Sequence, residues 1–223
     1  KKLVELNNDF KNFVKSNVKI EETLFISLNS KWIFNSKIIK FLKNRLINMH
    51  STRLPFTKGG AGYSWLIMKN DRINSQTFHF VNRGIDTGKV VFSYIDLVPP
   101  SARIPREFMD FDYLQLQKAY KFFIDKIKKK EDFKIVTQPK YLGNYYPRLY
   151  DKINGWIDWS ISSIMLERYI NAFDDPYEGA KTFINNQKVK IKSVNLHSGE
   201  VPNHPYMSGL VLRKSKNWIL VAL

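Results

Sequence analysis

The 223-residue sequence predicts an α/β fold: a parallel-sheet core, then helices, then a small β-rich C-terminal region. Three observations predict it. A strand, a helix and a second strand follow one another between residues 24 and 47, the signature of a βαβ crossover. Apolar residues recur at helical spacing through the middle of the chain. Beyond Pro176 the pattern changes to short β-type runs. The expected division is a core over residues 1–112, a helical segment over 113–176 and the β-rich region over 177–223, the last read as incomplete.

Each element rests on a local pattern. Leu3, Leu6, Phe10, Phe13 and Val14 predict a helix over 3–15. Residues 24–28 form a short apolar run, read as a buried strand. Ser36 opens a helix that turns Ile38, Ile39, Phe41 and Leu42 inward; Asn44 and Arg45 close it, and Leu46 and Ile47 begin the next strand. Residues 51–62 hold Pro55 and three glycines, so they predict a loop. A helix is expected over 63–69 and strands over 77–81 and 89–94, with a turn at 84–88. Pro99, Pro100 and Pro105 mark an irregular passage. The long helix that follows carries Leu116, Tyr120, Phe123 and Ile127 on one face. A second helix over 160–172 turns Ile164, Tyr169 and Phe173 inward. Short strands are predicted over 182–184, 189–194, 209–212 and 218–221.

Composition narrows the chemistry. Thirty-six Lys and Arg face 20 Asp and Glu, a formal net charge of +16, which favours polyanionic or phosphorylated partners. The densest basic run, residues 126–130, closes a predicted helix, where cations suit the negative end of the dipole. The absence of cysteine excludes disulfides, thiolate zinc sites and cysteine nucleophiles, and no metal site is expected. No segment reaches the ~18 consecutive apolar residues of a membrane helix, and residues 1–10 lack the apolar centre of a secretory signal. A cytoplasmic protein with no membrane partner is the expectation. Both ends, Lys1 and the apolar run 218–223, read as cut from something longer.

The residues that carry chemistry are Asn48, His50 and Asp86. Asn48 and His50 stand two apart at the end of a predicted strand, so they share one face. In an open α/β sheet, ligands bind outside the carboxyl ends of the strands. Asp86 lies in a Gly-flanked turn after another strand and can reach the same crevice. An imidazole can take a proton from an attacking amine. A carboxylate can fix the imidazole's tautomer and support its positive form, and an amide can donate to a developing oxyanion. Taken singly, each has a structural reading: a turn-forming Asn, a core His, an Asx-turn Asp.

The stretch Ile47-Asn48-Met49-His50-Ser51-Thr52-Arg53-Leu54-Pro55, then Gly59-Gly60, Trp65 and residues 84–91 (GIDTGKVV), resembles the 10-formyltetrahydrofolate-dependent formyltransferases. Asp86 follows His50 by 36 residues, as that family's pattern requires. A second match, at Tyr146-Pro147-Arg148, residues 155–159 (GWIDW) and 176–180 (PYEGA), resembles the segment after the catalytic core in methionyl-tRNA and sugar N-formyltransferases. The family loop is His-Pro-Ser-Leu-Leu-Pro, and Arg53 adds a cation where the family is apolar. No counterpart of the family's first strand and helix is read before Leu24.

The resemblance implies a Rossmann-like core and carries roles onto matching residues. His50 would be the general base, Asn48 would hold the formyl oxygen, and Asp86 would orient His50 and balance its charge. The cosubstrate, 10-formyltetrahydrofolate, would lie between Asn29, Trp32, Ile33 and Phe34 on one side and Val81, Asn82, Arg83, Gly84 and Ile85 on the other. Thr52, Arg53, Lys58, Tyr146, Arg148 and Trp156 would meet the acceptor. The acceptor expected is the amine of a nucleotide-linked amino sugar, as in surface-polysaccharide (lipopolysaccharide) biosynthesis, because the residues after Pro176 are too few for the β-barrel of the tRNA enzymes. Methionyl-tRNA is the alternative acceptor, and a homodimer is an open expectation. A different class, a non-catalytic basic module that binds nucleic acid through its aromatics and cations, also fits the composition. Its binding would fall steeply with salt.

Overall fold

The computed structural model describes residues 2–4, 7–28, 32–60, 62–197 and 203–223, with backbone alone at 2–4 and 32. In chain order the elements begin β1 (Lys2–Val4), α1 (Asn8–Asn17), β2 (Phe25–Leu28), β3 (Trp32–Phe34), α2 (Ser36–Phe41) and β4 (Leu46–His50). Next come β5 (Thr57–Gly59), α3 (Tyr63–Lys69), β6 (Ile73–Phe80), β7 (Val90–Leu97) and α4 (Pro105–Lys128). The chain ends with β8 (Asn144–Tyr146), α5 (Asp151–Asn154), α6 (Ser163–Ala172), β9 (Ala180–Ile184), β10 (Gln187–Ile191), β11 (Val211–Lys214) and β12 (Ile219–Val221).

The chain divides into two compact units, neither continuous in sequence. The first comprises Lys1–Ala61, Ile73–Pro99 and Asp110–Arg148. Its centre is a four-stranded sheet in the order β2-β4-β6-β7. β2 and β4 run parallel, with Ser27 opposite Asn48. α2 makes the crossover between them, as expected of a βαβ unit. The Asn35 side chain accepts the Ile38 amide hydrogen at 3.0 Å and so caps this helix. Lys43 and Asn44, both at positive φ, end it. β6 and β7 run antiparallel to their neighbours, so the sheet is mixed.

Alternation along β4 sorts its side chains. Ile47 and Met49 join Phe78, Val91, Ala119 and Phe123 in a buried cluster beneath α4. Phe78 is fully buried and stacks on Phe123 at 4.3 Å. Asn48 and His50 face the other side of the sheet. A second cluster joins Val14 of α1, Ile38 and Leu42 of α2 and its cap, and Leu46. Burying each such side chain is worth about 1.5–3 kcal/mol.

The structure departs from the sequence reading at two helices of this unit. The expected helix over 3–15 is instead β1, parallel to β3, followed by α1. The break falls where Asn7 accepts the Phe10 amide hydrogen and caps α1. Leu6 lies outside the described residues. On α4 the buried stripe is Pro105, Phe108, Asp112, Gln115, Ala119 and Phe123, while Tyr120 and Ile127 are exposed. A third of that stripe is polar. Asn74 and Gln76 of β6 each donate to the Asp112 carboxylate, at 2.6 and 2.5 Å. Hydrophobic periodicity cannot reveal a face held by buried hydrogen bonds.

The second unit comprises Gly62–Arg72, Pro100–Met109 and Leu149–Leu223. α3 packs on α6, and Ser64 Oγ donates to the Ala172 carbonyl at 2.8 Å. Leu166, Ile170 and Phe173 are buried, but Ile164, expected inside, is exposed. β9 and β10 form an antiparallel hairpin through Asn185 and Asn186, both at positive φ, the geometry of a two-residue primed turn. β11 and β12 form another hairpin. Among the described residues, no helix is long and apolar enough to cross a membrane.

Candidate active site

The site forms on the face of the sheet opposite α4. Cross-strand register places Ser27, Asn48 and His79 in one row and His50 opposite Thr77. Antiparallel and parallel partners in register project to the same side. All three residues singled out from the sequence therefore meet in the first unit, with a second imidazole among them.

Asp86 is the hub. It lies at φ +54°, a left-handed conformation that Asp tolerates better than most residues. Gly88 lets the turn close: a Cβ there would stand 1.6 Å from the Phe80 carbonyl oxygen. Gln138 clamps the same turn, donating from Nε2 to the Asp86 carbonyl at 3.0 Å and the Gly88 carbonyl at 2.6 Å. The carboxylate is 6% exposed. Its Oδ2 accepts the Gly59 amide hydrogen at 2.8 Å and lies 3.8 Å from His50 Nδ1. Its Oδ1 lies 3.5 Å from His79 Nε2.

The tautomer of His50 is fixed from the side away from Asp86. Nε2 faces the Thr57 carbonyl at 3.0 Å and Thr52 Oγ1 at 2.6 Å, and Thr52 Oγ1 itself donates to the Thr57 carbonyl at 2.8 Å. Both partners of Nε2 therefore accept, so Nε2 carries the hydrogen. Nδ1, facing Asp86, is the nitrogen that can gain a proton, and a carboxylate at 3.8 Å then stabilises the imidazolium. Nε2 is thus held from the Thr52 and Thr57 side and not by Asp86. Thr52, expected on the acceptor, is 3% exposed and bound to His50.

His79 was missed in the sequence because it reads as one polar residue within a strand. Nδ1 donates to its neighbour's carbonyl, Phe80 O, at 3.0 Å. Nε2 then accepts from Asn48 Nδ2 at 3.3 Å. That contact turns the amide nitrogen, rather than the carbonyl, of Asn48 toward His79. The signal that could have found His79 is register: it stands directly opposite Asn48.

The other expected residues divide. Phe34 and Val81 pack on the cluster around Ile38 and Leu46, and the Val81 amide donates to the Leu46 carbonyl. Both side chains are partly buried there. Ile33 and Ile85 are half-buried, and Arg83 and Gly84 are exposed. The Asn82 side chain is spent on its own turn, accepting from Gly84 N and Thr87 Oγ1. Asn29 and the Trp32 side chain lie outside the described residues. The Lys58 ammonium donates to the Leu142 carbonyl at 3.1 Å, and the Arg53 guanidinium lies over the Phe56 ring at 4.7 Å. Both side chains, expected on the acceptor, thus have partners within the protein. Tyr146 pairs with Gly59 across β5 and β8, one residue pair from the Asp86 contact, and Arg148 is exposed just beyond it. Trp156 belongs to the second unit, where it stacks on Phe183 at 5.2 Å. Among the described residues, no group of three or more His, Cys, Asp and Glu gathers as metal ligands would.

The site thus presents an imidazole that can take a proton, a carboxylate to hold the resulting charge, and an oriented amide. That set suits attack by an amine on an acyl carbon. Comparison with known proteins bears on it directly. Residues 150–223 match the family model described as "Formyl transferase, C-terminal domain". Over 217 residues, 94% of this chain, the sequence is 24% identical to the methionyl-tRNA formyltransferase of Acetivibrio thermocellus. The chain spans 66% of that relative's length. The crystal structure of WlaRD, a sugar 3N-formyltransferase solved in the presence of dTDP and 5-N-formyl-THF, superposes with a TM-score of 0.63. It is 24% identical and covers 90% of this chain and 69% of its own. The methionyl-tRNA formyltransferase of Clostridium thermocellum gives a TM-score of 0.59 at 18% identity, covering 84% and 81%.

Proposed function

We propose that the chain, which matches the formyltransferase C-terminal model over residues 150–223 and is 24% identical to a methionyl-tRNA formyltransferase over 217 residues, moves a formyl group from 10-formyltetrahydrofolate to the amine of a nucleotide-linked amino sugar. The observation that carries this reading is the meeting of Asn48, His50 and Asp86 on one face of the sheet, in the order and spacing of the family. The buried donors fit such a cosubstrate, since Asn48 is held with its amide nitrogen toward the polar row. 10-Formyltetrahydrofolate supplies an activated formyl group on N10.

His50 Nδ1 takes the proton that the acceptor amine sheds as its nitrogen bonds to the formyl carbon. Asp86 holds the charge that His50 then carries. Asn48 donates its second amide hydrogen to the formyl oxygen as negative charge builds there. His79 keeps that amide from turning over. His50 returns the proton to the folate nitrogen as its bond to the formyl carbon breaks. The sum is a formamide and tetrahydrofolate, with no atom unaccounted for.

On the acceptor side, β5 carries Gly59 against Asp86, and β8 carries Tyr146 against Gly59. Tyr146 and Arg148 are assigned to the acceptor on that ground. Arg148, exposed beyond β8, is read as a phosphate contact of the acceptor. The structural likeness to a sugar 3N-formyltransferase solved with dTDP supports the sugar nucleotide. The sequence match to a methionyl-tRNA enzyme favours the second reading, charged initiator tRNA. The test is incubation with 10-formyltetrahydrofolate and a panel of amino-sugar nucleotides, read by mass spectrometry for gain of one carbonyl unit. Formylation of charged initiator tRNA with none of the sugars would select the second reading. No formylation of any amine would end both.

A further inference from the structure

Ser27 stands in the same cross-strand row as Asn48 and His79, on the side of Asn48 away from His79. The residue is 8% exposed, and its hydroxyl has no hydrogen-bond partner among the described residues. Leaving a buried hydroxyl unpaired carries the full cost of stripping it of water. Such a group in a folded protein calls for a physical reason. Alanine or valine would fill the strand position without that cost.

Resting on the formyl-transfer reading, we propose that Ser27 is a further catalytic residue, donating a second hydrogen bond to the formyl oxygen beside Asn48. Asn48 and Ser27 are direct partners on the parallel pair β2 and β4, so their side chains emerge side by side on the site face. His79 occupies the other flank of Asn48 and holds one of its two amide hydrogens. The remaining amide hydrogen and the Ser27 hydroxyl belong to residues paired across adjacent strands. An oxyanion is best held by two donors fixed before the charge appears. The unpaired hydroxyl supplies that second donor, and its cost in the ligand-free protein is recovered when the oxygen arrives.

The proposal makes two opposed statements about one substitution. Ser27→Ala removes an unpaired buried group, so unfolding stability, read by thermal melting of the full chain, should hold or rise. The same variant should lose about a hundredfold in kcat, the usual scale for one oxyanion donor, with KM for the acceptor unchanged. Ser27→Thr keeps the hydroxyl on a residue suited to a strand and should restore kcat to within a few-fold. A readout independent of turnover is binding of 10-formylfolate against folate by titration calorimetry. Ser27→Ala should weaken the first several-fold and leave the second unchanged. Equal loss for both folates, unchanged kcat, or a lowered melting point with unchanged kcat would each overturn the role. If the wild-type chain formylates no amine, the functional reading fails first. The two folate affinities then still decide whether Ser27 meets the formyl oxygen, and no binding of either would end both ideas.

Discussion

Replacing Asp86 with asparagine isolates charge from shape. Asparagine tolerates the left-handed backbone at φ +54° as well as aspartate does. Its amide oxygen can still accept the Gly59 amide hydrogen that Asp86 accepts at 2.8 Å. What disappears is a negative charge 3.8 Å from His50 Nδ1. At an effective dielectric of about 20, a unit charge pair at that distance is worth about 4 kcal/mol. If His50 becomes cationic in the transition state, most of that stabilisation is lost, and turnover should fall about a thousandfold. The assay is single-turnover formyl transfer by Asp86→Asn against wild type, with far-UV circular dichroism to show the fold is kept. The acceptor that the wild type formylates is used. A folded Asp86→Asn variant working within about fivefold of wild type would refute the claim that charge passes through His50.

Two further outcomes follow from packing and titration. Phe78→Ala removes a fully buried ring stacked 4.3 Å from Phe123 and should cost about 3–5 kcal/mol in a urea unfolding series; a loss under about 1 kcal/mol would place Phe78 outside the core. Burial pushes the Tyr169 phenol above its ordinary value, while its hydroxyl donates to the Asn154 and Trp156 carbonyls. The folded chain then keeps that proton to higher pH than the unfolded chain. Its stabilising share is present below the ordinary phenol value of about 10 and is lost as pH rises through the raised one. Tyr169→Phe should therefore melt lower at neutral pH, by about 1 kcal/mol of stability, yet show a shallower decline in melting temperature at alkaline pH.

What could be read from the sequence was what lies close in the chain. Asn48 and His50 announce themselves by a spacing of two, and Asp86 by its flanking glycines. The crossover from β2 through α2 to β4 was legible for the same reason, since its signals are caps and short apolar runs. His79, Ser27 and Gln138 were not legible. Each matters only through a neighbour on another strand or loop, and register is a property of the assembled sheet. The bond of Thr52 to His50 was not legible, because the carbonyl the two share belongs to Thr57 in β5, a strand absent from the sequence reading. The stripe on α4 was displaced because Asp112 and Gln115 are buried against expectation. Asp112 is held there by two amide donors from β6.

The alternation along β4 has a practical corollary for anyone refolding or mutating this protein. A slide of a single residue between β4 and β6 would exchange Asn48 and His50 for Ile47 and Met49. Such a slipped species would keep its strand content and much of its compactness, and probes of bulk secondary structure would pass it as native. Specific activity would not. On the proposed function, formyl-transfer yield is thus a direct gauge of how many molecules have paired β4 with β6 in the right frame.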